Sequence, residues 1–220
     1  MTFGVTSLSE ARDVLRLRIP QRMDPATVAA ADLARVPVVL LWVPEHLPKA
    51  RETVAAYGYW NDESSHFLDI VFFGWLFDNG AYYDPEAYQR CVDEVRQASK
   101  WRPSGDVDLL LLNFEYETAT GSGDFNFAKA IPLPVGQMIT EGKVPNIQVF
   151  VQELINHARD AYAHDPADPV WEIHKRLAID RGLRSLWQWV SRNFLKDVGK
   201  IYDDMRPYAV CNLAKAMNPG

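Results

Sequence analysis

Val107-Asp108-Leu109-Leu110-Leu111-Leu112-Asn113-Phe114-Glu115-Tyr116-Glu117 is the stretch whose reading decides the fold. Four consecutive leucines leave no polar face, so the segment reads as a strand buried on both sides, the inner strand of a mostly parallel sheet. Residues 37–43 (PVVLLWV) and 67–75 (FLDIVFFGW) share that character. Helix-opening signals separate the three runs. Pro48 starts one helix, and Asp84-Pro85 sets an N-capping aspartate before a proline at the first helical position. Tyr88, Cys91, Val92, Val95 and Ala98 then recur on one helical face. This strand–helix alternation predicts an α/β fold whose strands are joined by right-handed crossovers. Residues 118–124 (TATGSGD) read as a hairpin loop and residues 125–133 as an antiparallel partner strand. The expected sheet is mixed, mainly parallel, has about four strands and is flanked by helices.

The flanks read as helical. Ser7 or Ser9 caps a first helix, and Asp24-Pro25 opens a second. After Pro145, Ile147, Phe150, Val151, Leu154, Ile155, Ala158 and Tyr162 form an amphipathic stripe. Asp168-Pro169 starts another helix, and a further stripe runs from Leu183 through Trp187 and Phe194 to Tyr202, interrupted by Gly182. The chain is read as one α/β domain over residues 1–220, with a sheet-containing part (1–144) and a helical part (145–220) packed on it.

Twenty-nine acidic residues against 23 basic ones give a formal charge of −6, which disfavours broad binding to nucleic acid or anionic membrane. The two cysteines, Cys91 and Cys211, lie far apart, as in a reducing cytoplasm. No apolar run reaches the ~20 residues of a membrane helix, and no signal peptide is apparent. The expectation is a soluble cytoplasmic protein.

If the three runs are parallel, their carboxyl ends share a rim, where α/β sheets bind ligands. That rim would collect His46, Asp78, Asn113, Glu115 and Glu117. His46, Glu115 and Glu117 are candidate acid–base groups. Asp78, Asn113, Glu115, Glu117 and Asp108 are candidate ligands for Mg²⁺, because carboxylates and an amide suit a hard cation. Asp69 interrupts an apolar strand, so it is expected to be paired, at an edge, or part of a site. Ser104-Gly105-Asp106-Val107-Asp108, with Lys129 on the next strand, is similar to one hairpin of the metal-dependent nucleases with an Asp…Asp/Glu-x-Lys motif. Phe127 stands where that family has its second acid. Tyr59 and Trp60, in an expected loop, and Trp189, off its helical stripe, are candidate anchors for a protein partner or a second copy. Two functions follow: a binding or regulatory subunit acting through a protein partner or small ligand, or a metal-dependent hydrolase or nuclease using the strand-end carboxylates.

Overall fold

The computed structural model describes residues 1–22, 32–64, 66–164, 167–178 and 210–215. Strand β1 (Thr2–Val5) is followed by helix α1 (Leu8–Arg22), β2 (Leu33–Trp42), α2 (Pro48–Ala55), α3 (Tyr57–Ser64) and β3 (Asp69–Phe73). A small hairpin of β4 (Trp75–Leu76) and β5 (Tyr82–Tyr83) leads into α4 (Pro85–Ala98), β6 (Asp108–Glu117) and β7 (Ser122–Leu133). Helices α5 (Val135–Thr140) and α6 (Ile147–Tyr162) come next, and residues 169–178 are helical. At the starts of α1, α4 and α6, side chains satisfy free amides. Ser7 accepts from Glu10 N at 3.0 Å, Asp84 from Glu86 N and Ala87 N at 3.0 Å each, and Asn146 from Val149 N at 2.8 Å. Among the described residues, no helix is long and apolar enough to cross a membrane.

The five-stranded sheet has the order β1-β3-β2-β6-β7. β3 pairs in parallel with β1 and β2, whereas β6 is antiparallel to both β2 and β7. Strands β1, β2, β3 and β7 therefore run one way and β6 runs against them. The fold is α/β with a mixed sheet, and the one correction of direction falls on the decisive stretch. Its cause is local. Trp101, before β6, packs with its ring tilted against Trp42, centroids 4.5 Å apart, so the chain is still at the exit of β2 when β6 begins opposite that residue. β1 was not expected; four residues are too few to show an alternating pattern.

Both faces of the sheet are covered. Val39, Leu41, Ile70, Phe72, Leu109 and Leu111 pack beneath α2, α3, α5, α6 and residues 169–178. Val38, Leu40, Trp42, Val71, Phe73, Leu110 and Leu112 pack beneath α1 and α4. On α6 the stripe Ile147, Phe150, Val151, Leu154, Ile155 and Ala158 is buried as expected, and Tyr162 lies outside it. The helix opened by Asp24-Pro25, the stripe from Leu183 to Tyr202, and Trp189 lie outside the described residues.

Both outer strands of the sheet are covered in part. On β1, Thr2 N donates to Asn61 Oδ1 at 3.0 Å and Thr2 O accepts from Tyr57 OH at 3.1 Å. On β7, Ala130 exchanges both main-chain hydrogen bonds with Cys211, at 2.7 and 3.1 Å, and Phe127 O accepts from Leu213 N at 2.8 Å. Gly4 lies so close under the Trp75 carbonyl that any Cβ would overlap it. Gly4→Ala is therefore expected to cost about 2–3 kcal/mol in urea unfolding. Gly58, in α3 with open space around it, provides the contrast: Gly58→Ala should stabilise by up to about 1 kcal/mol.

Candidate functional site

The rim where β1, β3 and β2 exit does not gather the expected residues. Asp78, between β4 and β5 and exposed, is drawn away from it, because Phe77 stacks on Tyr57, whose hydroxyl meets Thr2 O at the start of β1. Glu45 and His46, in the turn after β2, are at the rim and exposed. Asp108 joins them because β6 starts there, opposite Trp42. Glu115 and Glu117 lie at the other end of the sheet, where they pair with Arg35 and Leu33 of β2. Asn113, opposite Pro37, is between the two ends. Among the described residues, no group of three acidic, histidine or cysteine side chains is placed to hold a metal ion. The Mg²⁺ set of Asp78, Asn113, Glu115, Glu117 and Asp108 is thus a correction: the reversal of β6 takes it apart. His46, Glu115 and Glu117 likewise do not share a site.

Where they do lie, Glu115 ties β6 to β2 and β7, and Asn113 ties β6 to Asp168. Glu115 Oε1 accepts from Arg35 Nε at 2.8 Å and from Asn126 Nδ2 at 3.0 Å. Arg35 Nη1 also donates to Ala167 O at 3.0 Å. The neighbouring residue, Asp168, receives Asn113 Nδ2 at 2.7 Å, Lys129 Nζ at 3.2 Å and Trp171 N at 3.1 Å. Burial raises the Asp168 carboxyl, but these donors more than offset it and hold the group below its usual range. Asn126 and Lys129 reach this cluster because β7 shifts register between its pairings with Leu112 and Phe114. Glu117 stands apart and exposed, lowered by hydrogen bonds from the Thr120 and Ser122 hydroxyls. Lys129 is thus tied to Asp168, with Asp108 at the far end of β6, so the nuclease-like pairing is not formed. The capping role of Asp168 is legible in Asp168-Pro169; its bond to Asn113, 55 positions away, is not.

Asp108 behaves differently. Its side chain is only 3% exposed, and Oδ2 accepts from Ser104 N at 2.6 Å and Ser104 Oγ at 2.8 Å. Burial, reinforced by the nearby Asp106 charge and opposed by the Ser104 hydrogen bonds, pushes its carboxyl up to about 6. Next to it, Lys49 Nζ lies 3.5 Å from Asp106 and 3.2 Å from Gly136 O. The oddly placed Asp69 is buried at the start of β3 and forms an ion pair with the Met1 amine at 3.5 Å. This is the paired outcome among those expected. Cys91 is buried in α4, and its thiol is raised by burial.

The aromatic candidates separate. Residues 57–64 form α3 and not a loop, and this turns Trp60 inward, fully buried with its ring 6.1 Å from Phe72. As an exposed anchor Trp60 is corrected. Tyr59, on the outer side of the same helix, is 57% exposed. Glu63 is one turn further along α3, and its carboxylate pairs with Arg159 of α6 at 2.8 Å. The Arg159 guanidinium lies 5.5 Å from the centre of the Phe67 ring, which meets Tyr162 edge-on at 5.4 Å. Tyr162 is also 57% exposed. Tyr59, Glu63, Arg159, Phe67 and Tyr162 thus form one continuous face across α3 and α6.

Compared with models of known protein families, with curated proteins and with solved structures, the chain matches none.

The Asp168 cluster makes a quantitative expectation. Asp168→Ala removes the helix cap and strands the buried Asn113 amide, for a loss of about 2–3 kcal/mol in chemical denaturation. Lys129→Met, which removes only an exposed ion-pair partner, should cost less than about 1 kcal/mol. Because Asp168 is held below its ordinary value, its contribution is present at neutral pH and lost as pH falls through that lowered value. Asp168→Asn should therefore flatten the acid side of the stability profile.

Proposed function

We propose that this chain is a binding or regulatory subunit that engages a protein partner through the α3–α6 face. The observation that carries this reading is Tyr59, more than half exposed at one end of a row that runs through Arg159 to the equally exposed Tyr162. Tyrosine and arginine are enriched in interface cores, because they combine large contact area with polar tips that find new partners across the boundary. Glu63 and Phe67 hold the Arg159 guanidinium in place, which lowers the ordering cost of binding. A cytoplasmic setting, with neither membrane nor nucleic acid as partner, belongs to the same proposal. The metal-dependent hydrolase reading needed carboxylates from two strand ends on one rim. The antiparallel β6 separates those residues, and the binding reading is preferred for that reason.

The test is purification of the tagged chain from its native host, compared with Tyr59→Ala, Tyr162→Ala and Tyr82→Ala. Tyr82 is an exposed tyrosine on the β4–β5 hairpin, away from the proposed face. The wild type and Tyr82→Ala are expected to retain a stoichiometric partner. Tyr59→Ala should weaken that partner about tenfold or more, as truncation of an interface anchor does. A chain that elutes alone, or a partner held equally by all three variants, would overturn the proposal.

A further inference from the structure

At the start of β6 a carboxylate is buried by a surface loop that supplies it with no positive charge. The partners of Asp108 are the amide and hydroxyl of Ser104 and, more weakly, the amide of Gly105, all uncharged. Ser104 and Gly105 are themselves exposed, and Gly105 takes a positive φ of 91° to bring the loop back toward the strand. The surroundings do not offset the charge. β2 contributes Trp42 opposite Asp108, α4 turns Tyr88 toward it, and Asp106 in the same loop adds a second negative group. The ammonium of Lys49, from α2, is spent on Asp106 and the Gly136 carbonyl. A buried, uncompensated carboxylate is costly, and two routes relieve it: taking up a proton, or exposure to water when the loop lifts.

We propose that residues 102–106 form a proton-linked latch, closed over the neutral Asp108 side chain and released as that side chain ionises. This inference is independent of the partner-binding face. Its sign follows from linkage. The closed loop holds Asp108 up at about 6, whereas an open loop leaves it hydrated near the ordinary 3.8. The closed state therefore binds the proton more tightly, and acid favours closure. The ratio of open to closed loop rises as pH climbs through this interval and levels off above it, a total change of roughly a hundredfold. The same displacement makes the group's contribution to folding fully present below the ordinary carboxylate range and lost as pH rises through about 6.

Amide hydrogen exchange reads the latch directly on the full chain, with rates corrected for the intrinsic effect of pH. The amides of Ser104 and Asp106, bonded to Asp108 Oδ2 and Ser104 Oγ respectively, are the reporters. From pH 4.5 to 7.5, a window that holds part of the total change, their protection is expected to fall by about twenty-five-fold in the wild type. In Asp108→Asn, which keeps the acceptor without the charge, it should stay constant. Protection that ignores pH in the wild type, or falls equally in the variant, would overturn the latch. A second measurement needs no variant: the Asp108 side-chain carboxyl carbon, followed by NMR, should titrate near 6, and a midpoint near 4 would overturn the proposal.

Discussion

The ten-residue antiparallel ladder between β2 and β6 is the constraint on which the rest of the structure depends. It joins the parallel strands β1, β3 and β2 to the hairpin of β6 and β7, so both cores run through it. Its leucines do not define its register. A slip by one residue exchanges Leu109 and Leu111 with Leu110 and Leu112, and each face still receives leucine. Register is instead written in the polar residues toward the ends of the ladder. Arg35 meets Glu115 at one end, Asn113 reaches Asp168, and Asp108 is gripped by Ser104 at the other end. A one-residue slip would turn all three toward the opposite face, where none of these partners lies.

This explains what was legible in the chain. Helix starts are local, so Asp84-Pro85 announced α4 and Asp168-Pro169 announced the helix that follows it. The buried strands were visible in their apolar runs. Direction was not, because an unbroken run of leucine looks the same from either end. What reverses β6 is a contact outside the run, the Trp101 ring against Trp42. The expected rim depended on that direction and was lost with it. Trp60 followed a similar course. The Tyr57-Gly58-Tyr59-Trp60 segment carries a glycine and clustered aromatics that suggest a loop, yet it is helical, and helical spacing turns Tyr59 outward and Trp60 inward.

The acidic side chains divide by how the protein treats their charge. Asp168 and Glu117 are surrounded by donors that favour the ionised form, and both are drawn below the usual range. Such groups act as fastenings, fully charged at neutral pH. Asp108 has donors from Ser104 and Gly105 but a deep position, and burial prevails in the other direction. Identical chemistry thus yields a permanent tie in one place and a raised carboxyl in another, according to whether the converging N–H and O–H groups or the loss of water prevails.

The way the sheet ends at its sides bears on how copies of this chain meet in a crowded solution. Strands left bare at a sheet margin recruit foreign strands and seed fibrils. Here Asn61 and Tyr57 occupy the outward amide and carbonyl of Thr2, while Cys211 occupies both groups of Ala130 on β7 and Leu213 the carbonyl of Phe127. An incoming extended peptide would have to displace these groups before it could add to either margin. Sheet growth is therefore obstructed at these positions of the outer strands.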